Sequence, residues 1–226
     1  MSSSKESKRD DERRISETPK NEPRKSVDGR IVGHSSSVQG VFRQASERAK
    51  GRYVNASLSS SFLTFEDNQK IMDWLKNAKG FLIYQGCAGC GKTHLCHSLQ
   101  NEARKLGKFN YIRLWNESQF FQRLRSGIKD GNDYYSHIQS LSDDDLIIYD
   151  DMGSTSGDNV WRNEAIFALI DFRWTLKKPT IITTNLTETE IQEKIGFRVH
   201  SRLFAKENTI LDFGKRDLRQ EPITFI

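Results

Sequence analysis

The chain has 226 residues, room for one sizeable domain with an appendage, and its 29% charged and 35% hydrophobic residues describe a globular protein. No apolar run approaches the roughly 18 residues a membrane span needs, and the opening Met1 to Asp11 lacks the apolar core of a signal peptide. Three cysteines, all between Cys87 and Cys96, make no disulfide framework, so a reducing cytoplasmic setting is expected; the formal charge of +5 fits an anionic partner such as nucleic acid, and no membrane.

Residues 1–36 read as a disordered basic tail. Its first thirty positions hold Lys5, Lys8, Arg9, Arg13, Arg14, Lys20, Arg24, Lys25 and Arg30 among seven acids and two prolines. Only Met1, Ile15 and Val27 could bury anything, too little to offset the entropy of ordering the segment. The tail is then a solvated mixed-charge stretch, or an arm that tethers nucleic acid or a protein. Over 37–52 the pattern changes. Val38, Val41, Phe42 and Ala45 fall at i, i+3, i+4 and i+7, the stripe of a short amphipathic helix. Such a stripe docks on its own domain or, alternatively, on a partner.

From residue 53 onward strands alternate with helices. Phe81-Leu-Ile-Tyr84 is a short buried strand running into Gly86, and the helix after it extends to about Leu106, where Gly107 suits the C-cap. Phe109 to Leu114 reads as a second strand. Asn116 and Gln119 look like a capping pair for a helix with Phe120, Phe121, Leu124 and Ile128 inward. Leu146-Ile-Ile-Tyr149 is a third strand, Val160 to Leu176 a long helix, Thr180 to Thr184 a fourth strand behind Pro179. A helical stretch runs from Thr187 to about Ala205, and a fifth strand lies near Thr209 to Phe213. The alternation predicts an α/β fold, a parallel five-stranded sheet between helices.

Gly86-Cys87-Ala88-Gly89-Cys90-Gly91-Lys92-Thr93 satisfies G-x-x-x-x-G-K-[ST] between a strand and a helix, the context this phosphate loop requires. Its glycines let successive backbone N–H groups converge on phosphate oxygens, and the helix N-terminus adds partial positive charge. Lys92 would reach the β- and γ-phosphates of ATP, Thr93 would hold Mg²⁺, and His94 follows at the edge of the nucleotide. Leu146-Ile-Ile-Tyr149 ends in Asp150 and Asp151. Asp150 would be the metal-side carboxylate, and Asp151 the general base toward the attacking water. Asp143 to Asp145 precede the buried run and read as solvated acids. Asn185, at the end of the fourth strand, would orient the water or sense the γ-phosphate; alone it would be an ordinary cap for the helix at Thr187. Cys87, Cys90, His94, Cys96 and His97 tempt a zinc assignment. Both Cys87 and Cys90 lie inside the phosphate loop, where a tetrahedral metal would block the nucleotide, so no structural metal is expected.

Together these blocks resemble the AAA+ ATPases of the bacterial helicase-loader group, the DnaC/DnaI type, and the related transposition helper IstB. The resemblance runs from about Tyr53 to the C-terminus. It rests on Gly-Lys-Thr-His-Leu (91–95), Asp-Asp-Met-Gly (150–153), Thr-Thr-Asn-Leu (183–186), Phe-Arg-Val-His-Ser-Arg-Leu (197–203) and the lead-in Arg52-Tyr-Val-Asn-Ala-Ser-Leu ahead of Phe62. Asp171-Phe-Arg-Trp174 before the fourth strand adds to it. It implies an AAA+ core over 53–226 with a minimal or absent C-terminal lid. It also implies an arginine finger at Arg202, with Arg198 as companion, that self-association brings to a neighbour's ATP. The closing Gly214-Lys-Arg-Asp-Leu-Arg219 is similar to a family motif that would bring Arg219 to phosphate. The group's single-stranded DNA contacts would fall on Arg123, Arg125 and Lys129, with Arg113, Tyr134 and Tyr135 nearby; a solvated basic helix face is the competing account. A folded front domain, usual in loaders, is not visible in the sequence, and the segment after the fifth strand is too short for the lid and DNA-binding domain of a DnaA-type initiator.

The expectation is an Mg-ATP-hydrolysing helicase loader acting on single-stranded DNA with a replicative helicase as partner. The nearest alternative is an IstB-like helper that delivers a transposase. A small-molecule P-loop kinase is the alternative from another class, and a DNA-binding switch that holds ATP without appreciable turnover is a further one.

Overall fold

The computed structural model describes residues 51, 53–61, 63–155, 160–214, 217 and 218. The tail expected over 1–36, the helix expected over 37–52 (except Gly51) and Arg219 lie outside the described residues. The sheet has five parallel strands, β1 (Phe81–Gln85), β2 (Ile112–Asn116), β3 (Leu146–Met152), β4 (Thr180–Thr184) and β5 (Thr209–Asp212), in the order β2-β3-β4-β1-β5. The helices are α1 (Phe65–Asn77), α2 (Lys92–Leu106), α3 (Glu117–Lys129), α4 (Tyr134–Ser142), α5 (Val160–Thr175), α6 (Glu188–Lys194) and α7 (Phe197–Leu203).

Strand alternation sorts the apolar residues into two cores, one on each face of the sheet. Phe81, Ile83, Ile147, Tyr149, Met152 and Ile182 pack against Phe120, Phe121 and Leu124 of α3, Leu169 and Ile170 of α5, and residues of α4, α6 and α7. Leu82, Tyr84, Ile148 and Ile181 on the other face meet Ile71, Trp74 and Leu75 of α1 and Leu95, Cys96 and Leu99 of α2. Helix ends follow local chemistry. Thr64 caps α1 through Asp67 N, Asp133 caps α4 through Ser136 N, and Thr187 and Glu190 cap α6 reciprocally. Gly107 takes φ +63° as the cap that ends α2.

The differences from the sequence reading have local causes. The second strand begins at Ile112 rather than Phe109, because the Asn110 and Tyr111 N–H groups donate to Asp145 Oδ2 at 2.8 and 3.1 Å instead of entering the ladder. Asn116 caps α3 by accepting from Ser118 N, not through Gln119, and Ile128 is exposed while Gly127 turns inward. A Cβ on Gly127 would lie 1.9 Å from His137 Nε2, so α4 comes closer than any side chain there allows. The helical stretch after Thr187 is two helices, broken at Gly196, whose φ is +124°.

Asp143 to Asp145 are more than solvated acids. Arg173 of α5 is fully buried and spends all five N–H groups on Thr180 Oγ1 (2.9 Å) and the carbonyls of Ser142 (2.9 Å), Asp144, Asp145 (3.3 Å) and Pro179. Burial pulls its pKa down to about 10, and the three aspartates oppose that pull. The side chain ties α5 to the turns entering β3 and β4, which carry the site. Arg173→Met should therefore leave four carbonyls and a hydroxyl unmet and destabilise the chain by about 3 kcal/mol or more. Urea unfolding reads this directly; an unchanged midpoint would show that Arg173 ties nothing together.

Candidate functional site

The site forms at the carboxyl ends of β1, β3 and β4, where an open α/β sheet presents its crevice. β1 pairs with β4 through Gln85 and Thr184, so Gly86 and Asn185 leave adjacent strands side by side. The loop from Gly86 to Gly91 turns at Gly89 (φ +87°) and Gly91 (φ +94°), conformations that favour glycine, and α2 starts at Lys92. Lys92 is 6% exposed, and its Nζ donates to Gly86 O (2.8 Å), Cys87 O (2.8 Å) and Asn185 Oδ1 (2.6 Å). An ammonium has three protons. All three are spoken for.

The two carboxylates are separated by a bulge in β3. Tyr149 pairs with Ile182 and Met152 with Thr184, so three steps of β3 match two of β4. The extra residue keeps Tyr149 and Met152 in the same core, while Asp150, on the face of Ile148, stands toward α2. Asp150, 3% exposed, accepts from Thr93 Oγ1 at 2.9 Å, Thr183 Oγ1 at 2.6 Å and Cys96 Sγ at 3.4 Å. Asp151 takes φ +66°, unusual for a residue with a side chain, while its N–H donates to Thr183 Oγ1 (2.8 Å) and its Oδ1 accepts from Asn185 Nδ2 (2.9 Å). Asn185 thus bridges Lys92 and Asp151. Glu117, buried at the start of α3, holds the loop after β3 by accepting from Gly153 N (2.6 Å) and Thr155 N (3.0 Å).

A cavity of about 370 Å³ opens over the loop, lined by Ala88 to His94, Asp151 and Asn185. Tyr53, Ser60, Ser61, Phe213 and Leu218 complete its wall. Tyr53 stacks on His97 at 4.7 Å, and Ser60 Oγ lies 3.3 Å from His94 Nε2. Burial lowers the pKa of both histidines. The segment after β5 folds back over the loop: Cys87 N donates to Gly214 O (3.1 Å) and Leu218 N to Gly89 O (3.2 Å). Asp217 sits so close to Gly89 that a Cβ there would fall 1.8 Å from its Oδ1.

The other predicted residues lie elsewhere. Arg198 and Arg202, one turn apart on α7, both stand over the Phe167 ring, with guanidinium carbons 5.2 and 4.9 Å from its centroid. Arg202 also pairs with Asp171 and donates to Arg198 O at 3.1 Å, whereas Arg198 is exposed. Neither lines the loop cavity; Arg198 borders a second one of about 540 Å³ between α4, α5 and α7. On α3, Arg125 and Lys129 share an exposed face, with Arg125 over Trp161 at 5.3 Å. Arg123, about 200° from Arg125 around the helix, is half-buried, and its carbonyl meets His137. Arg113 is taken up by Asp144 at 2.7 Å and stands over Trp115.

Sequence reasoning missed Thr183, Glu117 and the cavity wall at Ser60, Ser61, Phe213 and Leu218. Thr183 and Glu117 act across more than thirty residues of chain, a distance over which no local pattern operates. The run of Ser59, Ser60 and Ser61 before Phe62 carried no chemical signature of its own.

A phosphate loop on this strand order, faced by a strand-end acid pair and by Asn185, defines an AAA+ ATPase core. The family profile described as "IstB-like ATP binding protein" matches residues 66–199, more than half of the chain, and the chain belongs to that family of ATP-binding AAA+ ATPases. Among curated relatives, the replicative helicase loader DnaC of Escherichia coli K12 is 25% identical over 122 residues, 54% of this chain and 49% of DnaC. The chromosomal replication initiator DnaA of Leptospira biflexa is 26% identical over 111 residues, 47% of this chain and 24% of DnaA. The matched segment thus spans half or less of those relatives. Among solved structures, the DnaC helicase loader superposes with TM-score 0.61 at 22% identity over 71% of this chain and 98% of the other. DnaA bound to AMPPCP and single-stranded DNA gives 0.59 at 20% identity over 70% of this chain and 50% of DnaA. Among the described residues no helix is long and apolar enough to cross a membrane.

Thr183 holds both aspartates at once. Thr183→Val keeps the shape and removes the hydroxyl, leaving Asp150 and the Asp151 N–H each one partner short. The variant should lose roughly 1–3 kcal/mol of stability, read by denaturant titration; wild-type stability would show that the hydroxyl bridge carries no weight.

Proposed function

We propose that the protein is an ATP-hydrolysing loader of the DnaC kind, which uses single-stranded DNA and its own neighbours in an assembly to place a replicative helicase. The observation that carries this reading is the Lys92–Asn185–Asp151 chain of hydrogen bonds, which joins a nucleotide-binding cation to the strand-end acid. Entering phosphates offer Lys92 the acceptors it now finds in Gly86 O and Cys87 O, while Asn185 is released to align water against Asp151. Thr93 spends its proton on Asp150 and keeps its lone pairs for a hard cation, so the hydroxyl–carboxylate pair fits Mg²⁺. When bound, the ion would neutralise charge on the β- and γ-oxygens. Asp151, opening on the cavity, is the residue to take the water's proton. Arg219 stays a candidate for phosphate contact.

A second reading has an observation of its own: the matching family is that of the transposition helper, which favours a transposase as partner. Affinity capture from the source cells separates the two. A replicative helicase retained only with Mg-ATP supports the loader, whereas a transposase retained in its place replaces it with the helper. Support for DNA comes from the likeness in fold to DnaA bound to single-stranded DNA and from the exposed face of Arg125 and Lys129. Changing both to Ala should weaken single-stranded DNA binding and flatten its salt dependence by roughly 0.7 for each phosphate no longer neutralised. Arg123→Ala should do less, being on another face. An unaltered slope in the double variant would move the DNA site off α3.

Assembly is tested through α7. A finger acting in trans is worth roughly 10³–10⁵ in rate in related phosphoryl transfers. Arg202→Ala should bind ATP nearly normally and hydrolyse it poorly, and Lys92→Ala should not bind it. Mixed together they should regain turnover that rises with concentration, because the Lys92→Ala chain lends its Arg202 to an intact loop. If mixing restores nothing for Arg202→Ala but does so for Arg198→Ala, the exposed Arg198 is the finger. Dead mixtures of both count against shared sites, and so against the loader.

A further inference from the structure

Cys87 and Cys90 form a dithiol within the phosphate loop, and nothing in nucleotide binding calls for thiols there. Ala88 and Gly89 make a tight turn between them, with Gly89 at φ +87°, the sign that position i+2 of a type II turn requires. Such a turn holds its first and last Cα atoms within about 7 Å, which overlaps the roughly 4.4–6.8 Å that a disulfide spans. Cys87 is half-buried and meets solvent. Cys90 is buried and lines the nucleotide cavity, with its Sγ 3.6 Å from Lys92 Nζ. Burial pushes the Cys90 thiol up, while the Lys92 ammonium pulls it back toward the reactive thiolate. The third cysteine is different. Cys96 is buried on α2 and donates to Asp150 Oδ1, and burial with the Asp150 charge holds its thiol far above the usual range. Among the described residues no cluster of three or more His, Cys, Asp or Glu is placed to hold a metal.

We propose that Cys87 and Cys90 are a reversible oxidation site, joined into a disulfide by a two-electron oxidant of the peroxide class, and that the bridge closes the phosphate loop to nucleotide. The half-exposed Cys87 reacts first. Its thiolate attacks one peroxide oxygen, the O–O bond breaks, and a sulfenic acid and hydroxide result. The Cys90 sulfur then attacks the Cys87 sulfur; the S–S bond forms, the S–O bond breaks, and the departing hydroxide takes the Cys90 proton as water. The proton that Cys87 had released converts the first hydroxide to water. Two thiols are oxidised to one disulfide and one peroxide is reduced to two waters. To reach Cys87, the Cys90 sulfur must leave its place beside Lys92 and Gly86, where a Cβ on Gly86 would lie 2.9 Å from it. The cross-linked turn then has a fixed width and cannot adjust around phosphate. Nucleotide in the loop resists the same movement, so ATP should protect the pair.

The test uses the full chain treated with hydrogen peroxide, with and without Mg-ATP, and a fluorescent ATP analogue as the binding probe. The expected product has lost two hydrogens, keeps Cys96 free and binds the analogue about tenfold or more weakly. Dithiothreitol should restore binding, and Mg-ATP should slow the oxidation. Neither Cys87→Ser nor Cys90→Ser, each compared with its own reduced form, should lose two hydrogens or show the loss of binding, although Cys90→Ser should still gain one oxygen at Cys87. If one of them fails to fold, the other together with peptide mapping decides. The proposal is overturned if no Cys87–Cys90 bridge forms, if the bridged protein binds as the reduced one does, or if either serine variant shows the same loss. The proposal rests on nucleotide occupying this loop. Reduced wild-type protein that binds no analogue would overturn that premise, and the mapped bridge would still be read separately.

Discussion

A lysine ammonium buried to 6% exposure cannot stand unpaired, since an uncompensated buried charge costs several kcal/mol even after relaxation. Lys92 meets that demand from the turn it follows and from one amide just past the end of β4, nearly a hundred residues later. The demand explains why β4 lies next to β1, why Asn185 is held where it leaves β4, and why Asp151 is fixed opposite it. Each of those contacts is one that phosphate can replace with better acceptors. On the function proposed above, the loop would be satisfied in either state, and the exchange would carry the arrival of nucleotide to Asn185 and Asp151.

The second constraint is geometric. A regular strand would send Asp150 and Asp151 to opposite faces of the sheet, one of them into the core of Phe120 and Tyr149. The bulge in β3 avoids this by giving Asp151 a left-handed backbone (φ +66°), with Thr183 bonded to its N–H and to the Asp150 carboxylate. Strain of this kind persists only where the surroundings over-determine it, and here Thr183, Asn185 and Glu117 all converge on one turn. α3 begins at Glu117 and carries Arg125 and Lys129 further along, so the face proposed for DNA is anchored to the loop that follows the acids.

The phosphate loop was legible because its chemistry is local: the glycines, Lys92 and Thr93 fall within eight residues, between a buried strand and a helix. Asp150 and Asp151 stood out from their place after a buried run, and Arg198 and Arg202 of α7 were singled out only by the resemblance to the helicase-loader group. The partners of these residues were not legible. Lys92 to Asn185, Glu117 to Gly153 and Arg173 to the turn at Asp144 are long-range pairs, fixed by strand order rather than by any sequence period. The helix α4 escaped notice because it buries only Ile138, Leu141 and Ser142. The second strand was placed three residues early because Asp145 caps two N–H groups that the apolar pattern assigned to the ladder.

The central claim is that Lys92 exchanges its protein acceptors for phosphate. The direct measurement is a crystal structure with Mg²⁺ and a non-hydrolysable ATP analogue. Lys92 Nζ should then leave Gly86 O and Cys87 O for the β- and γ-phosphate oxygens, with Thr93 Oγ1 on the metal and Asn185 turned toward the γ-phosphate. A nucleotide seated elsewhere in the cavity, with Lys92 still donating to both loop carbonyls and to Asn185, would contradict the account.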